Sequence, residues 1–203
     1  MEAGEQMKYL NQLDMEDIPY PTNTLDPTSD FYTKGTIKIA GCGICCACML
    51  VDRLSNESPD VIEVRDLAMA CNANWEPGTD MEVFAPVLAE RFGLDYLPSD
   101  SGQELVALLQ NGGAAILNTG GNRDGYESLF YDGGHYIVAI GYQDGFVRIL
   151  DPAYFEGKFE GAAREAGVRD QGGVIYASLE VLQKETDNRS PRYYLFNDRI
   201  GSA

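Results

Sequence analysis

Cys42, His135 and Asp151 are the residues of this chain whose types and spacing could do covalent chemistry. His135 is the single histidine and opens the run His-Tyr-Ile-Val-Ala-Ile-Gly-Tyr, with Asp151 sixteen residues further on. Cys42 stands far upstream between Gly41 and Gly43, ahead of a long apolar run. A thiolate can attack a carbonyl, an imidazole can move the protons, and a carboxylate can hold the ring's tautomer and orientation. Each residue alone has a plainer reading: a small thiol at a tight turn, a hydrogen-bonded core histidine, an Asp-Pro turn opener. Their order and spacing together point to nucleophilic thiol chemistry, and no second histidine competes for the role of base.

The elements that must position these groups follow from local pattern. From Cys42 to about Leu54 the chain is apolar almost all round, which predicts a buried central helix with Cys42 at its start. Flanking glycines allow a sharp turn into that helix, where unpaired amides and the helix dipole favour a thiolate. Further helices are expected over about Arg65–Ala73, Met81–Phe92 and Leu105–Asn111, the last behind the capping box Ser101-Gly-Gln-Glu104. The period then changes to that of strands at Ala114–Asn118, Tyr136–Tyr142, Phe146–Leu150, Val174–Ala177 and Tyr193–Asn197, with a short helix over Ser178–Glu185. Helices first and an antiparallel sheet second make an α+β fold with the two halves packed together. Gln143-Asp144-Gly145 reads as a three-residue hairpin loop, a register that pairs Ile137 with Asp151. His135 and Asp151 then become same-face diagonal neighbours about 7–8 Å apart at the backbone. A two-residue loop would put them on opposite faces.

Length and composition bound the rest. A chain of 203 residues is expected to form one domain spanning 1–203, its first 36 residues a Pro-interrupted extended arm over the surface. The formal charge of −17 argues against binding nucleic acid or an anionic membrane, and would draw a cationic substrate in preference to an anionic one. No apolar run is long enough for a membrane span, and no leader-like segment opens the chain, so a cytoplasmic location is the expectation. Five cysteines, four of them crowded between 42 and 48, are poor material for a disulfide framework and suit a reducing compartment.

The stretch from His135 through Tyr142 to Leu150-Asp151 resembles the His-strand-turn-strand-Asn/Asp unit of papain-like cysteine peptidases. More narrowly, Gly41-Cys42-Gly43 before a helix, Gly134-His135 and Asp151-Pro152 are similar to stand-alone bacterial relatives of the bacteriocin-leader (double-glycine) peptidases, a peptidase C39-like domain. Tyr9-Leu-Asn11-Gln12-Leu-Asp14, Thr36-Ile37, Gly78-Thr79 and Arg91-Phe92-Gly93-Leu94 extend the likeness over most of the chain. The resemblance implies a papain-like fold and a cysteine hydrolase that cleaves peptide or amide bonds through a thioester acyl-enzyme. It implies Cys42 as nucleophile, His135 as base, Asp151 as orienting acid, and Gln12 as donor to the oxyanion beside the Cys42 amide. No cofactor and no metal are implied. Ile44 and Cys45 stand where the family often has proline and a small hydroxyl residue, a departure expected to alter the pocket more than the chemistry. Gln12 lies well before Cys42, so its role requires the arm to fold back; an exposed residue in a loose N-terminus is the alternative.

Other readings remain open on sequence. Cys42, Cys45, Cys46 and Cys48 lack a second cysteine pair with zinc-like spacing, which favours buried thiols over a metal cluster. The glycine-rich run 118–125 lacks the Gly-Lys-Ser/Thr ending of a phosphate loop and reads as a loop beside the site. Residues 153–173 are expected to cover the cleft, or to form a charged surface loop with a helical turn near 161–165. A papain-like domain that binds peptides without cleaving them, or a deamidase or acyltransferase with the same triad, would share these features. Substrate-binding residues and oligomeric state are not legible.

Overall fold

The structure, a computed structural model, describes residues 8–161 and 166–199. The helical turn expected near 161–165, like the first seven residues of the arm, lies outside them. Seven strands form one sheet: β1 (Leu94–Ser99), β2 (Ala114–Thr119), β3 (His135–Gln143), β4 (Phe146–Leu150), β5 (Val168–Gln171), β6 (Val174–Ser178) and β7 (Tyr193–Asp198). Their order is β1-β7-β2-β3-β4-β6-β5, every neighbouring pair antiparallel. The helices are α1 (Asp30–Lys34), α2 (Ile37–Ala40), α3 (Cys42–Leu54), α4 (Val61–Ala70), α5 (Met81–Phe92), α6 (Gly102–Gln110) and α7 (Leu179–Glu185). This is the α+β architecture expected, with α3 laid across β2 and β3.

Helix α3 earns its central place through composition. Ile44 through Val51 are all buried, because every face of the helix meets either the sheet or α2, α4 and α5. Val138, Ile140, Ile116 and Phe196 supply the sheet side of that core. A second core lies on the opposite face, where Leu105 and Leu109 of α6 and Leu182 of α7 cover Ile137, Ala139, Val147 and Ile149. Alternation along β3 and β4 therefore feeds two cores, one per face. Among the described residues no helix is long and apolar enough to cross a membrane.

Boundaries follow the caps. Asp60 accepts the Glu63 amide and starts α4 four residues before the start read from sequence; Asp80 caps α5 and Gly93, at φ 64°, closes it. Ser101 accepts the Glu104 amide as the capping box requires, but the Glu104 carboxylate takes Ser99 Oγ instead of the Ser101 amide. Two strands escaped the pattern reading, β1 and β5. Both are sheet edges: β1 contains Pro98 and buries only its ends, and β5 buries only Val168, so neither has a strong alternation.

The N-terminal arm is anchored and not wholly extended. It contains a 3-10 turn over Gln12–Asp14, capped by Asn11 Oδ1, and the short helix α1. Tyr20 is fully buried, and its hydroxyl lies 2.8 Å from Thr79 Oγ1.

Candidate active site

The β3–β4 hairpin brings His135 to Asp151 by a route other than the expected one. Gln143 pairs with Phe146, so the loop is the two-residue Asp144-Gly145, with φ of 52° and 86°. Both residues sit in the left-handed region, as a tight primed hairpin turn requires. That loop alone would face His135 away from Asp151. A bulge between Ala139 and Gly141 adds one residue to β3 and restores the alignment, with Ala139 opposite Ile149 and Val138 opposite Leu150. Extended by one step, the register sets Ile137 against Asp151, as read from the sequence with the wrong loop.

The result is a contact. His135 Nε2 lies 2.8 Å from Asp151 Oδ1, both side chains buried. The Ala153 amide also donates to Asp151 Oδ1 at 2.8 Å, and Lys158 Nζ donates to Oδ2 at 2.6 Å. Lys158 is itself buried and gives a second hydrogen bond to the Ala153 carbonyl at 3.0 Å. Thr119 Oγ1 donates to the His135 carbonyl at 2.9 Å, and the Tyr131 ring lies 5.4 Å from the imidazole, centroid to centroid.

Cys42 opens α3, and the cap residue Gly41 offers no side-chain acceptor to the first turn. The glycines on either side serve packing. A Cβ on Gly41 would stand 2.6 Å from the Ile37 carbonyl oxygen, and one on Gly43 would stand 3.0 Å from Thr79 Cβ. With Nε2 of His135 engaged by Asp151, Nδ1 is the nitrogen left for the sulfur. Burial pushes the Cys42 thiol up, but the hydrogen bond and charge of His135, with the backbone amides of Tyr136 and Gly43, bring it below the usual thiol range. Burial alone would lower His135; the Asp151 charge and hydrogen bond, aided by Cys42, outweigh it and raise the ring to about 9. Burial would likewise raise Asp151, yet His135 and then Lys158 hold it below the carboxylate range. All three shifts run in the direction that favours an ionised Cys42, a protonated His135 and an ionised Asp151. The other helix thiols go the opposite way: burial drives Cys45 and Cys46 well up and Cys48 to about 12.

Gln12 is buried in the same cleft. Its amide nitrogen donates to the Lys38 carbonyl at 2.8 Å, leaving the second N–H of that group uncommitted, while Oε1 is buried without a partner among the described residues. The loose-arm alternative is not what the structure has. The Gln12 backbone amide donates to the Pro152 carbonyl at 2.7 Å, the Tyr9 hydroxyl to the Asp151 carbonyl at 2.8 Å, and Asn11 Nδ2 to the Tyr154 carbonyl at 2.8 Å. The arm thus clasps the segment that carries Asp151.

The four residues singled out from sequence converge on one side of a cleft of about 350 Å³, with Gln12, Cys42 and His135 in its lining and Asp151 behind the histidine. Lys158 was missed, although it was visible as the one lysine in the 153–173 segment. Arg189, also in the lining, carried no sequence signal. The segment after Asp151 reaches the carboxylate through Lys158, and Phe159 beside it is buried in the second core; none of the segment's described residues lines the cleft beside Cys42. Among the described residues no three His, Cys, Asp or Glu side chains converge as metal ligands would.

No family model matches the sequence, and no curated protein matches it. Solved structures do. A crystal structure described as a "putative C39-like peptidase" from Bacillus anthracis superposes with a TM-score of 0.59 over 96% of each chain at 12% identity. The peptidase domain of Streptococcus ComA, a bifunctional ABC transporter of a quorum-sensing pathway, superposes with a TM-score of 0.49 over 78% of this chain and 91% of that one, at 15% identity. A helix-then-sheet chain with a helix-initiating cysteine laid against the first strand of a His–Asp hairpin has the papain-like fold of the C39-like peptidase domains.

Proposed function

We propose that this protein is a cysteine hydrolase that cleaves peptide or amide bonds, with Cys42 as nucleophile, His135 as proton carrier, Asp151 as orienting carboxylate and Gln12 as oxyanion donor. The observation that carries the reading is the division of the imidazole: Nε2 is held by Asp151, which leaves Nδ1 for Cys42, whose proton His135 weakens while burial strengthens those of Cys45, Cys46 and Cys48.

The steps follow from those positions. The Cys42 sulfur attacks the substrate carbonyl carbon, and the C=O electron pair moves onto oxygen. That oxyanion meets the uncommitted N–H of Gln12 and the first-turn amide of Cys42 at the start of α3. The His135 imidazolium gives its Nδ1 proton to the departing amine, the C–N bond breaks, and a thioester remains. Water then loses a proton to the neutral ring and attacks the thioester; Cys42 leaves as thiolate and His135 is again protonated. Asp151 stays ionised throughout and holds the ring.

Alkylation with iodoacetamide tests the nucleophile without knowledge of the substrate. Cys42 should be labelled first of the five thiols, at a pH well below the ordinary thiol pKa of about 8.5. Peptide mapping that found Cys71 modified while Cys42 stayed inert would remove the reading.

A further inference from the structure

The cleft beside Cys42 has an electrostatic character opposite to that of the protein. The chain carries 32 acidic residues, yet none of the described residues lining this cleft is Asp or Glu. Its one permanent cation is Arg189. That guanidinium lies against Gly134, the residue before His135: a Cβ on Gly134 would stand 2.6 Å from Arg189 Nη2.

Arg189 has no carboxylate among the described residues, and its Nε is sealed from solvent without an acceptor. Arg65, Arg91, Arg123 and Arg199 each hold an Asp or Glu, whereas Arg189, like Arg148, Arg169 and Arg192, holds none among the described residues; of these four only Arg189 lines the cleft. Asp187, two positions away, pairs with Arg123 instead. The backbone around Arg189 is held on both sides. Its amide donates to the Thr186 carbonyl at 3.0 Å, Ser190 Oγ donates to Asp100 Oδ2 at 2.8 Å, and the Arg192 amide donates to Asp100 Oδ1 at 2.8 Å. A fork of N–H donors on a braced segment, unpaired and half-buried, matches a planar carboxylate that comes with a ligand.

We propose that the cleft selects substrates bearing a carboxylate close to the scissile bond, and that Arg189 receives it. The inference rests on the hydrolase reading above and names its substrate class: a peptide or amide with an acidic side chain, or with a free C-terminal carboxylate, beside the carbonyl that Cys42 attacks. It also reverses the expectation from net charge, because at physiological salt a field summed over distant carboxylates is screened within about 8 Å, whereas a group in the cleft acts at contact.

Two alkylators of nearly equal size test this. Iodoacetate and iodoacetamide each form a C–S bond to Cys42 and release iodide, but only iodoacetate carries a carboxylate. The ratio of their rate constants at Cys42 should fall about 3–10-fold in Arg189→Gln and further in Arg189→Glu, in line with the loss of one half-buried charge pair. Arg189→Lys, which keeps the charge, should retain most of the ratio, and 1 M salt should compress the differences. An unchanged ratio in Arg189→Gln and Arg189→Glu, with circular dichroism showing a folded protein, overturns the proposal. Failure of the hydrolase reading would look different: iodoacetamide alone would label Cys42 of the parent no faster than an ordinary thiol. The source of the carboxylate follows from protection of Cys42 against iodoacetamide by three peptides: acetyl-Ala-Glu-Ala-amide, acetyl-Ala-Gln-Ala-amide and acetyl-Ala-Ala-Ala with a free terminus. Stronger protection by the first supports a side-chain carboxylate, and by the third a terminal one. Equal protection by all three counts against the proposal.

Discussion

Asp151 and Lys158 form an ion pair at 2.6 Å in which both side chains are buried, and the same carboxylate holds His135 through its other oxygen. The orienting acid of the candidate site is therefore also the counter-ion of a buried lysine. An ammonium out of water is costly unless paired, so the two functions of Asp151 cannot be separated by mutation as they could at an exposed strand end.

This changes what substitution of Asp151 should do. Read as a strand-end carboxylate near a cleft, it would tolerate Asn or Ala with the fold intact. With Lys158 beneath it, Asp151→Asn should cost about 3 kcal/mol, the usual size for breaking a buried pair, and Lys158→Met less, because Asp151 keeps the His135 ring and the Ala153 amide. The double variant should be less destabilised than the two losses added together. Urea unfolding of the four proteins measures the coupling, and additive losses would show that the pair contributes nothing.

Activity should follow a bell in pH. Below the lowered pKa of Cys42 the thiolate is protonated and turnover falls. Above about 9 the His135 imidazolium loses its proton, so the acid that serves the leaving amine is gone. The alkylation rate shares the acid limb, because it needs the thiolate and no general acid. An alkylation limb at the ordinary thiol pKa of about 8.5 would contradict the ion pair.

Gln12→Ala should lower turnover by about 10²–10³, since its bond strengthens as charge develops on the carbonyl oxygen, while iodoacetamide alkylation of Cys42 stays close to that of the parent. Deletion of residues 1–20 is a different perturbation. Tyr9, Asn11 and the Gln12 backbone bind the Asp151, Tyr154 and Pro152 carbonyls, so the truncation should lose both turnover and the low-pH alkylation. Retention of both would show that the arm is dispensable.

Gly41→Ala probes how α3 is aimed. Gly41 has an ordinary φ of −97°, so backbone strain is not the obstacle. Its added Cβ would stand 2.6 Å from the Ile37 carbonyl oxygen and 2.8 Å from Ile37 Cα, backbone that cannot turn aside. The start of α3 must shift, and we expect a stability loss of about 1–3 kcal/mol with slower labelling of Cys42. Thermal unfolding beside alkylation kinetics would measure both; a parent-like value of each would mean that α2 and α3 yield freely.

What this sequence determined by itself is whatever depends on neighbours in the chain. An apolar run with no polar face makes α3 and sets Cys42 at its start; alternation and a glycine turn make β3 and β4; a single histidine leaves one choice of base. The edge strands β1 and β5 were illegible because half their partners are missing and their patterns are correspondingly weak. Tertiary structure decided the rest. One extra residue at the β3 bulge leaves no mark in composition, yet it turns His135 onto the face of Asp151 after a two-residue loop had turned it away. The arm's course depends on hydrogen bonds between residues 142 and 143 positions apart, which no periodicity encodes. Lysine and arginine are surface residues by default, so Lys158 under the carboxylate and Arg189 in the cleft became visible only when distant segments folded over them.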